Sequence, residues 1–243
     1  MKPAFYTGAS GLIASQSRMD VIGNNIANVN TVGYKPTGSS FSDLLYTEMY
    51  VNTENDPLTG HGVKTFGTGI NAQQSNLLEG QSVLDLAILG KGWFCVEKDG
   101  QRLYTRDGSF GISLNGDEAS LVNQSGAYVL DTNGNRITTR ITSAAAGIDY
   151  EALTSRAGVF GFDYTEALTP VSGNLYAENE LTGPAAALAE GEYELVTGYL
   201  EQSKVSLADE MVNLIAAQRA YQLSARVVQT ADEIEQTVNS LRS

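Results

Sequence analysis

Apolar residues recur at helical spacing near the N-terminus. They form a heptad-like stripe with steps of three and four, completed by Gln16 and Gly23: Phe5, Ala9, Leu12, Gln16, Met19, Gly23 and Ile26. This spacing places the stripe on one face of a helix. We expect the helix to end near Asn28, because the Asn and Gly residues that follow tolerate the left-handed conformation that closes a helix.

A second stripe runs through the last 40 residues of the chain. It steps by four and three, with one extra step of three after Val228: Leu207, Met211, Leu214, Gln218, Tyr221, Ala225, Val228, Ala231, Ile234, Val238 and Leu241. Ser206 followed by Asp209 and Glu210 is typical of a capped helix start. Neither Gly nor Pro occurs after Gly198, so a long unbroken helix is predicted.

Either stripe alone would fit an ordinary amphipathic helix that packs on its own domain. Two long stripes, one at each terminus, instead favour terminal helices that pack on each other or on neighbouring chains.

The centre of the chain follows a different pattern. Between residues 83 and 139 turn dipeptides recur every eight to ten residues: Asp99-Gly100, Asp107-Gly108, Asn115-Gly116, Ser125-Gly126 and Asn133-Gly134. Successive hairpins of an antiparallel sheet require such spacing. Short β-type runs, such as WFCV at 93–96, lie between the turns.

These patterns predict an α+β fold with long N- and C-terminal helices in a coiled-coil-like arrangement and a central antiparallel all-β domain. The expected organisation is an N-terminal helix in 1–35, an irregular connector in 36–80, a β-rich domain in 81–200 and a C-terminal helix in 201–243. The connector is expected to be irregular because it is rich in Gly, Thr, Ser and Asn.

Charge is distributed unevenly along the 243 residues. The chain has 28 acidic and 15 basic residues and a net charge of −13. Residues 1–35 carry +2 and residues 204–243 carry −1, so the centre carries −14. This balance argues against a nucleic-acid binder and against a protein that binds anionic membranes, because both use clustered positive charge.

Few residues are candidates for catalysis or metal binding. The single cysteine, Cys95, excludes an internal disulfide, and the single histidine, His61, lies between two glycines. The segment 131–135 resembles a calcium loop, but its Gly is at the fourth position, so a β-turn is favoured. The segment 90–92 (GKG) lacks the spacing of a phosphate loop. We therefore predict no catalytic, cofactor-binding or metal-binding residue, and no cofactor.

No apolar run reaches the roughly 18 residues of a membrane span, so direct membrane insertion is not expected. Residues 1–23 also lack the continuous apolar core of a secretory signal. Export, if it occurs, is expected to use another route.

Several segments resemble a known family, in order along the chain. They are 20–35 (DVIGNNIANVNTVGYK), 86–88 (LAI), 92–94 (GWF), 104–110 (YTRDGSF), 198–203 (GYLEQS) and 210–222 (EMVNLIAAQRAYQ). Together they are similar to the terminal signatures and the central sheet of the bacterial flagellar rod and hook proteins. The segments 41–46 (FSDLLY) and 67–69 (GTG) are most like the distal-rod members. Trp93, Lys204 and Ser224 depart from the usual family residues.

The resemblance implies a structural subunit and no enzyme. Members of this family leave the cell through the flagellar export apparatus without a cleaved signal. They polymerise into a hollow helical tube that transmits torque from motor to hook, with paired terminal helices lining its inner wall. The expected location is the flagellar basal body, outside the cytoplasmic membrane. The expected partners are further copies of the chain, other rod proteins, the hook protein and the export apparatus.

The stripes and the signatures together predict an assembly interface between subunits. Its residues are Leu12, Met19, Ile26, Asn28, Asn30, Gly33, Leu207, Met211, Leu214, Gln218, Arg219, Tyr221 and Val228. A hook-type or proximal-rod member of the family is the next interpretation. An unrelated β-rich binding module is less favoured, and an enzyme such as a carboxylate-based glycosidase is last.

Overall fold

The described residues of the protein belong to two compact units. A computed structural model describes residues 2–48, 58–116, 118–140, 149–189 and 191–241. The helical unit comprises Met1–Ala27, Thr37–Thr68 and Ser206–Ser243, and the β unit comprises Asn28–Pro36 and Gly69–Val205. Each unit is therefore built from segments that are distant in sequence.

Two long helices dominate the helical unit. Helix α1 spans Lys2–Ala27 and helix α3 spans Leu207–Ser240, whereas the short helix α2, Tyr150–Thr154, belongs to the β unit. The predicted start of α3 is confirmed, because the Ser206 side chain accepts a hydrogen bond from the backbone N–H of Asp209 at 3.4 Å. Among the described residues, no helix combines the length and apolar character needed to cross a membrane.

Helices α1 and α3 pack against each other in antiparallel directions. Near the start of α1, a Cβ atom on Gly8 would lie 2.8 Å from Val228 Cγ2. Further along, Arg18 Nη2 donates to Asn213 Oδ1 at 3.4 Å. The α+β class and the two long terminal helices are thus confirmed, whereas a coiled-coil-like geometry stays a prediction.

The face of α1 that is buried differs from the predicted apolar stripe by a rotation of about one residue around the helix axis. Over residues 4–27, for which burial is described, the buried residues of α1 are Gly8, Ala14, Ile22 and Asn25. In the predicted stripe, Phe5, Gln16 and Gly23 are exposed, and Ala9, Leu12, Met19 and Ile26 are half-buried. Successive residues of a helix are rotated by roughly 100°, so the predicted stripe lies beside the buried face. Small side chains such as Gly8 let the two helices approach closely, which a periodicity of large apolar residues does not reveal.

Short strands follow α1 in the helical unit. They are β1 Thr37–Asp43, β2 Tyr46–Glu48, β3 Leu58–Gly60 and β4 Val63–Ile70, and the last two residues of β4 already belong to the β unit. Strand β1 pairs with β4, and β2 pairs with β3. The expectation of an irregular connector over 36–80 is therefore wrong for the described residues in that range. The strands escaped detection because they bury no continuous face, so their sequences lack apolar alternation.

The remaining strands all lie in the β unit. Their bounds are β5 Leu77–Glu79, β6 Leu86–Gly90, β7 Trp93–Lys98, β8 Gln101–Thr105, β9 Gly111–Asn115, β10 Glu118–Val122, β11 Tyr128–Val129, β12 Thr138–Arg140, β13 Val159–Gly161, β14 Thr169–Ser172, β15 Leu175–Ala177, β16 Ala186–Ala187, β17 Tyr193–Thr197 and β18 Tyr199–Glu201.

One antiparallel sheet organises the β unit. Among the described residues it has ten strands, with the main path β12-β10-β11-β7-β8-β15-β14 and with β9, β13 and β16 attached to that path. Two further antiparallel pairs, β6 with β17 and β5 with β18, complete the unit. The predicted central antiparallel β structure is thus confirmed.

The core of the β unit occupies both faces of strand β7. Phe94 and Val96 join one apolar cluster, whereas Trp93 and Cys95 join a second. All four side chains are at most 1% exposed. Because successive residues of a strand point to opposite faces, a strand covered on both sides reads as a continuous apolar run.

Most of the predicted turns occur where the dipeptides indicated. Asp99 and Gly100, with φ of 52° and 78°, join β7 to β8 in a tight hairpin, and Asn115, Ser125 and Asn133 also lie at turns. The Asp107-Gly108 dipeptide is not a hairpin, which corrects that prediction. The Gly108 carbonyl instead accepts a hydrogen bond from the backbone N–H of Leu86 at 3.0 Å. The chain does not reverse direction at this dipeptide but runs beside the segment that contains Leu86.

Candidate assembly interface

Helix α3 carries a large exposed apolar surface. Its large exposed apolar side chains are Leu207, Met211, Val212, Ile215, Tyr221, Leu223, Val227 and Ile234. Helix α1 adds Phe5, Tyr6 and Ile13, of which Ile13 is 69% exposed. Single exposed apolar residues are common on proteins, but so many along one helix mark a candidate surface for contact with another protein.

The predicted interface residues occupy three kinds of environment. In the two helices, Leu12, Met19, Ile26, Leu214 and Val228 are half-buried, and Leu207, Met211, Gln218, Arg219 and Tyr221 are exposed. In the β unit, Asn28 is half-buried, Asn30 is exposed and Gly33 is buried. The structure therefore leaves part of the predicted surface accessible within one chain. Whether neighbouring copies cover it stays a prediction.

Polar contacts hold the C-terminal part of α1 beside α3. Asn25 is 2% exposed, and its Nδ2 donates to Glu210 Oε1 at 2.9 Å. The Asn25 side chain also exchanges two hydrogen bonds with the backbone of Thr37, both at 3.0 Å. These bonds satisfy a buried amide that would otherwise be costly. Asn25 lies in the family-like segment 20–35. Apolar spacing gave it no role, because its side chain is polar.

The β unit begins with the turn that follows α1. Thr31 donates through its backbone N–H to the Asn28 carbonyl at 3.1 Å, and its hydroxyl donates to Asn28 Oδ1 at 3.1 Å. Gly33 then adopts φ of 65°, and its N–H donates to the Glu201 carbonyl at 2.7 Å. A Cβ atom on Gly33 would lie 2.5 Å from the carbonyl carbon of Arg106. The predicted role of Gly33 in turning the chain is thus supported by both conformation and space.

A buried ionic cluster lies next to this turn. Lys35 Nζ lies 2.6 Å from Glu201 Oε1, and Arg106 Nη1 lies 3.2 Å from Glu201 Oε2. The side chains of Lys35 and Glu201 are fully buried, and that of Arg106 is 3% exposed. Glu201 Oε1 also accepts the backbone N–H of Ser75 at 2.7 Å. The carboxylate of Glu201 thus links strand β18 to three other segments of the β unit.

The cluster contains two cations for one carboxylate. Burial lowers the pKa of Lys35 and of Arg106, because it penalises the charged form, and the nearby charge of Glu201 offsets only part of this effect. When both cations are protonated, one positive charge remains uncompensated within the cluster. Burial makes the net contribution of such ion pairs to stability small, but removal of one partner leaves an uncompensated buried charge.

Sequence reasoning missed the cluster although each member stands in a recognised segment. Lys35 ends the segment 20–35, Arg106 lies within 104–110 and Glu201 lies within 198–203. The sequence did contain one indication of a buried charge, because the charged Glu201 follows the apolar Leu200 in a β-type run. Its partners could not be found, since they are distant in sequence.

The other candidate residues behave as simple structural groups. Asp131 Oδ1 accepts the backbone N–H groups of Asn133 and Asn135 at 2.8 and 2.9 Å, which confirms the predicted β-turn. His61 Nε2 lies 2.7 Å from Thr47 Oγ1. Cys95 is buried. Within the described ranges, no group of three or more His, Cys, Asp or Glu side chains is placed to hold a metal ion.

Three sequence families match parts of the chain. The family described as "Flagella basal body rod protein" matches residues 5–35, which include most of α1 and Lys35. "Flagellar hook protein FlgE/F/G D1 domain" matches residues 87–154, and "Flagellar basal body rod FlgEFG protein C-terminal" matches residues 196–241. All three members of the buried cluster therefore lie within matched regions.

Full-length relatives match as well. The chain is 35% identical to "Flagellar basal-body rod protein FlgG" of Buchnera aphidicola subsp. Baizongia pistaciae, over 99% of this chain and 100% of the relative. It is 34% identical to the protein of the same name from Bacillus subtilis (strain 168), over the whole of both chains. "Flagellar basal-body rod protein FlgF" of Mesorhizobium japonicum is 28% identical, over 100% of this chain and 99% of the relative.

Proposed function

The chain belongs to the flagellar basal-body rod proteins, and on that premise we propose that its terminal helices form the surface through which copies assemble into the rod. The protein is a structural subunit of the basal-body rod and is located in the flagellar basal body. Its FlgG relatives are more similar than the FlgF relative, so the distal-rod interpretation is favoured over the hook-type and proximal-rod alternatives.

The observation that carries the proposal is the apolar stripe that the pairing of α1 with α3 leaves exposed. Leu207, Met211 and Tyr221 are 44%, 56% and 38% exposed, although they belong to the most regular apolar stripe of the sequence. Burying one such side chain completely stabilises a contact by roughly 1.5–3 kcal/mol. Several of them on each copy would supply a strong driving force for assembly.

The charge distribution supports the same surface. The terminal segments 1–35 and 204–243 carry +2 and −1, whereas the centre carries −14. Crowding many copies through strongly acidic segments would be opposed by repulsion between like charges. Nearly neutral helices can meet at short distance without that cost.

The assembly that we infer is a hollow helical tube that transmits torque from the motor to the hook. Its partners are further copies of this chain, other rod proteins and the hook protein, and the flagellar export apparatus delivers the subunits. In this role Asn28, Asn30 and Gly33 shape the turn after α1, while Gln218 and Arg219 offer polar contacts to neighbouring helices. The protein performs no catalysis in this proposal.

A charge placed in the exposed stripe tests the proposal. Met211→Glu, expressed in a strain that lacks the native gene, should abolish swimming in soft agar and should leave no complete rods in isolated basal bodies. Met211→Leu, which keeps an apolar side chain at the same exposed position, is the matched control and should retain both. Circular dichroism should show equal helix content in both variants. Normal rods with Met211→Glu, or an equal loss with Met211→Leu, would contradict the proposed surface.

A further inference from the structure

Two Asn-Gly dipeptides lie at turns of the β unit, at residues 115–116 and 133–134. Asparagine before glycine is prone to deamidation, because glycine has no Cβ to hinder attack of its backbone nitrogen on the asparagine side-chain amide. The side chains of Asn115 and Asn133 are both exposed. Sequence and exposure therefore do not distinguish the two dipeptides, but their hydrogen bonds do.

Hydrogen bonds restrain the dipeptide Asn133-Gly134. The attacking nitrogen would be that of Gly134, and its N–H donates to the Asp131 carbonyl at 3.0 Å. The backbone N–H of Asn133 donates to Asp131 Oδ1 at 2.8 Å. The guanidinium of Arg102 covers the same turn, since a Cβ atom on Gly134 would lie 2.7 Å from Arg102 Nη2. Attack would first have to break these contacts, so the folded turn should protect Asn133.

The dipeptide Asn115-Gly116 has no such restraint. Asn115 is the last residue of β9, and Gly116 follows with φ of 61° in an exposed turn. Among the described residues, none accepts a hydrogen bond from the Gly116 N–H. A Cβ atom on Gly116 would meet nothing within 4 Å. The nitrogen is thus accessible, and only the end of the strand must open for it to reach the Asn115 side chain.

We propose that Asn115 is a site of spontaneous deamidation in the folded protein, whereas Asn133 is protected. The Gly116 nitrogen loses its proton and bonds to Asn115 Cγ, the C–N bond of the side-chain amide breaks, and ammonia leaves. Water then opens the resulting succinimide at either carbonyl, which gives aspartate or isoaspartate. Solvent water is the only co-reactant, and no atom is oxidised or reduced. The modification does not depend on the proposed assembly of the rod.

The modification would weaken the β9–β10 hairpin. Asn115 and Glu118 lie opposite each other in the register of this strand pair. A carboxylate at position 115 would therefore face that of Glu118, and like charges directly opposite destabilise a strand pair. Isoaspartate would also lengthen the backbone by one carbon atom and displace the hydrogen bonds beside it. The product should thus accumulate as the protein ages and should loosen this hairpin.

Peptide mapping of the purified full chain by mass spectrometry tests the proposal. Folded protein is incubated at mildly alkaline pH, where the glycine nitrogen loses its proton more readily, and is sampled over time. Proteolytic cleavage at glutamate separates the two dipeptides at Glu118. Deamidation of Asn115 should be at least about fivefold faster than that of Asn133, because one hydrogen bond of ordinary strength lowers the reactive population by about that factor. The products at position 115 should include isoaspartate.

Unfolding the chain provides the matched control. In guanidinium chloride past the unfolding midpoint, both dipeptides should react at similar rates, because the protection of Asn133 depends on the folded turn. Asn115→Gln should remove the fast reaction and leave the slow rate at position 133 unchanged, since glutamine would have to form a larger ring. Equal rates in the folded protein, a faster reaction at 133, or no reaction at 115 while the unfolded chain reacts would overturn the proposal. None of these outcomes would bear on the proposed assembly of the rod.

Discussion

Lys35 and Glu201 form a fully buried ion pair, with Nζ and Oε1 2.6 Å apart. They are separated by 166 residues in sequence. Lys35 lies in the segment that follows α1, and Glu201 ends β18, the last strand before α3. Within the β unit, this pair therefore fixes the segments through which the chain leaves one terminal helix and approaches the other.

Removing the carboxylate of this pair should strongly destabilise the β unit. Glu201→Gln leaves Lys35 and Arg106 buried without a counter-charge, which costs about 3–5 kcal/mol in comparable buried pairs. Urea unfolding, followed by the fluorescence of Trp93, the only tryptophan in the chain, measures the loss.

The matched control for that variant is Glu97→Gln. It removes an ion pair with Arg136 in which the two side chains are 25% and 50% exposed. Water solvates the remaining partner, so the free energy of unfolding should fall far less than for Glu201→Gln. Similar losses for both variants would show that the buried cluster has no special structural role.

Asp107 should make stability depend on pH in the acid range. Burial raises the pKa of Asp107 above its ordinary value of 3.8, although hydrogen bonds from Ser109 oppose the shift. The folded protein therefore holds this proton more tightly than the unfolded chain. The resulting stabilisation is fully present below pH 3.8 and is lost as the pH rises through the folded pKa.

Asp107→Asn removes this titration and keeps a neutral side chain. The free energy of unfolding of the variant, relative to that of the native protein, should therefore increase from pH 3.8 towards neutrality. Urea titrations at a series of pH values measure this difference. Parallel pH profiles for the two proteins would contradict the expected titration of Asp107.

The Cys95 thiol should be inert in the folded protein. It is 1% exposed, and burial raises its pKa to about 12. Because the thiolate is the reactive species, native protein at mildly alkaline pH should react with a thiol reagent such as iodoacetamide only through opening of the β unit. Adding urea past the unfolding midpoint should restore rapid labelling. Fast labelling without denaturant would show that the core around Cys95 opens readily.

Two glycines near the end of α1 should respond in opposite directions to substitution by alanine. Gly33→Ala places a Cβ atom 2.5 Å from backbone carbon at φ of 65°, so a loss of more than about 1–2 kcal/mol is expected. A Cβ atom on Gly23, inside helix α1, would meet nothing within 4 Å, so Gly23→Ala should gain about 0.5–1 kcal/mol. Trp93 fluorescence reports on the first variant and helical circular dichroism on the second. A neutral Gly33→Ala would show that the turn tolerates other conformations.

Local signals in the sequence identified elements whose pattern repeats. The stripe from Leu207 to Leu241 predicted α3, and Ser206 marked its start correctly. The Asp99-Gly100 dipeptide predicted a hairpin because few residue pairs adopt two successive positive φ angles. Strands β1 to β4 were missed because they bury no continuous face. Asp107-Gly108 was misassigned because the contact with Leu86 is not visible from neighbouring residues.

The sequence by itself determined the class of fold, the positions of the terminal helices and the family, because these depend on periodicity, turn residues and local segments. Only the tertiary structure decided which face of each helix is buried. It placed Gly8 against Val228 and left Met211 exposed, since the closeness of two helices depends on small side chains that carry no apolar signal. It also brought Lys35, Arg106 and Glu201 together. Contacts between distant segments follow from how the whole chain packs, so no local pattern encodes them.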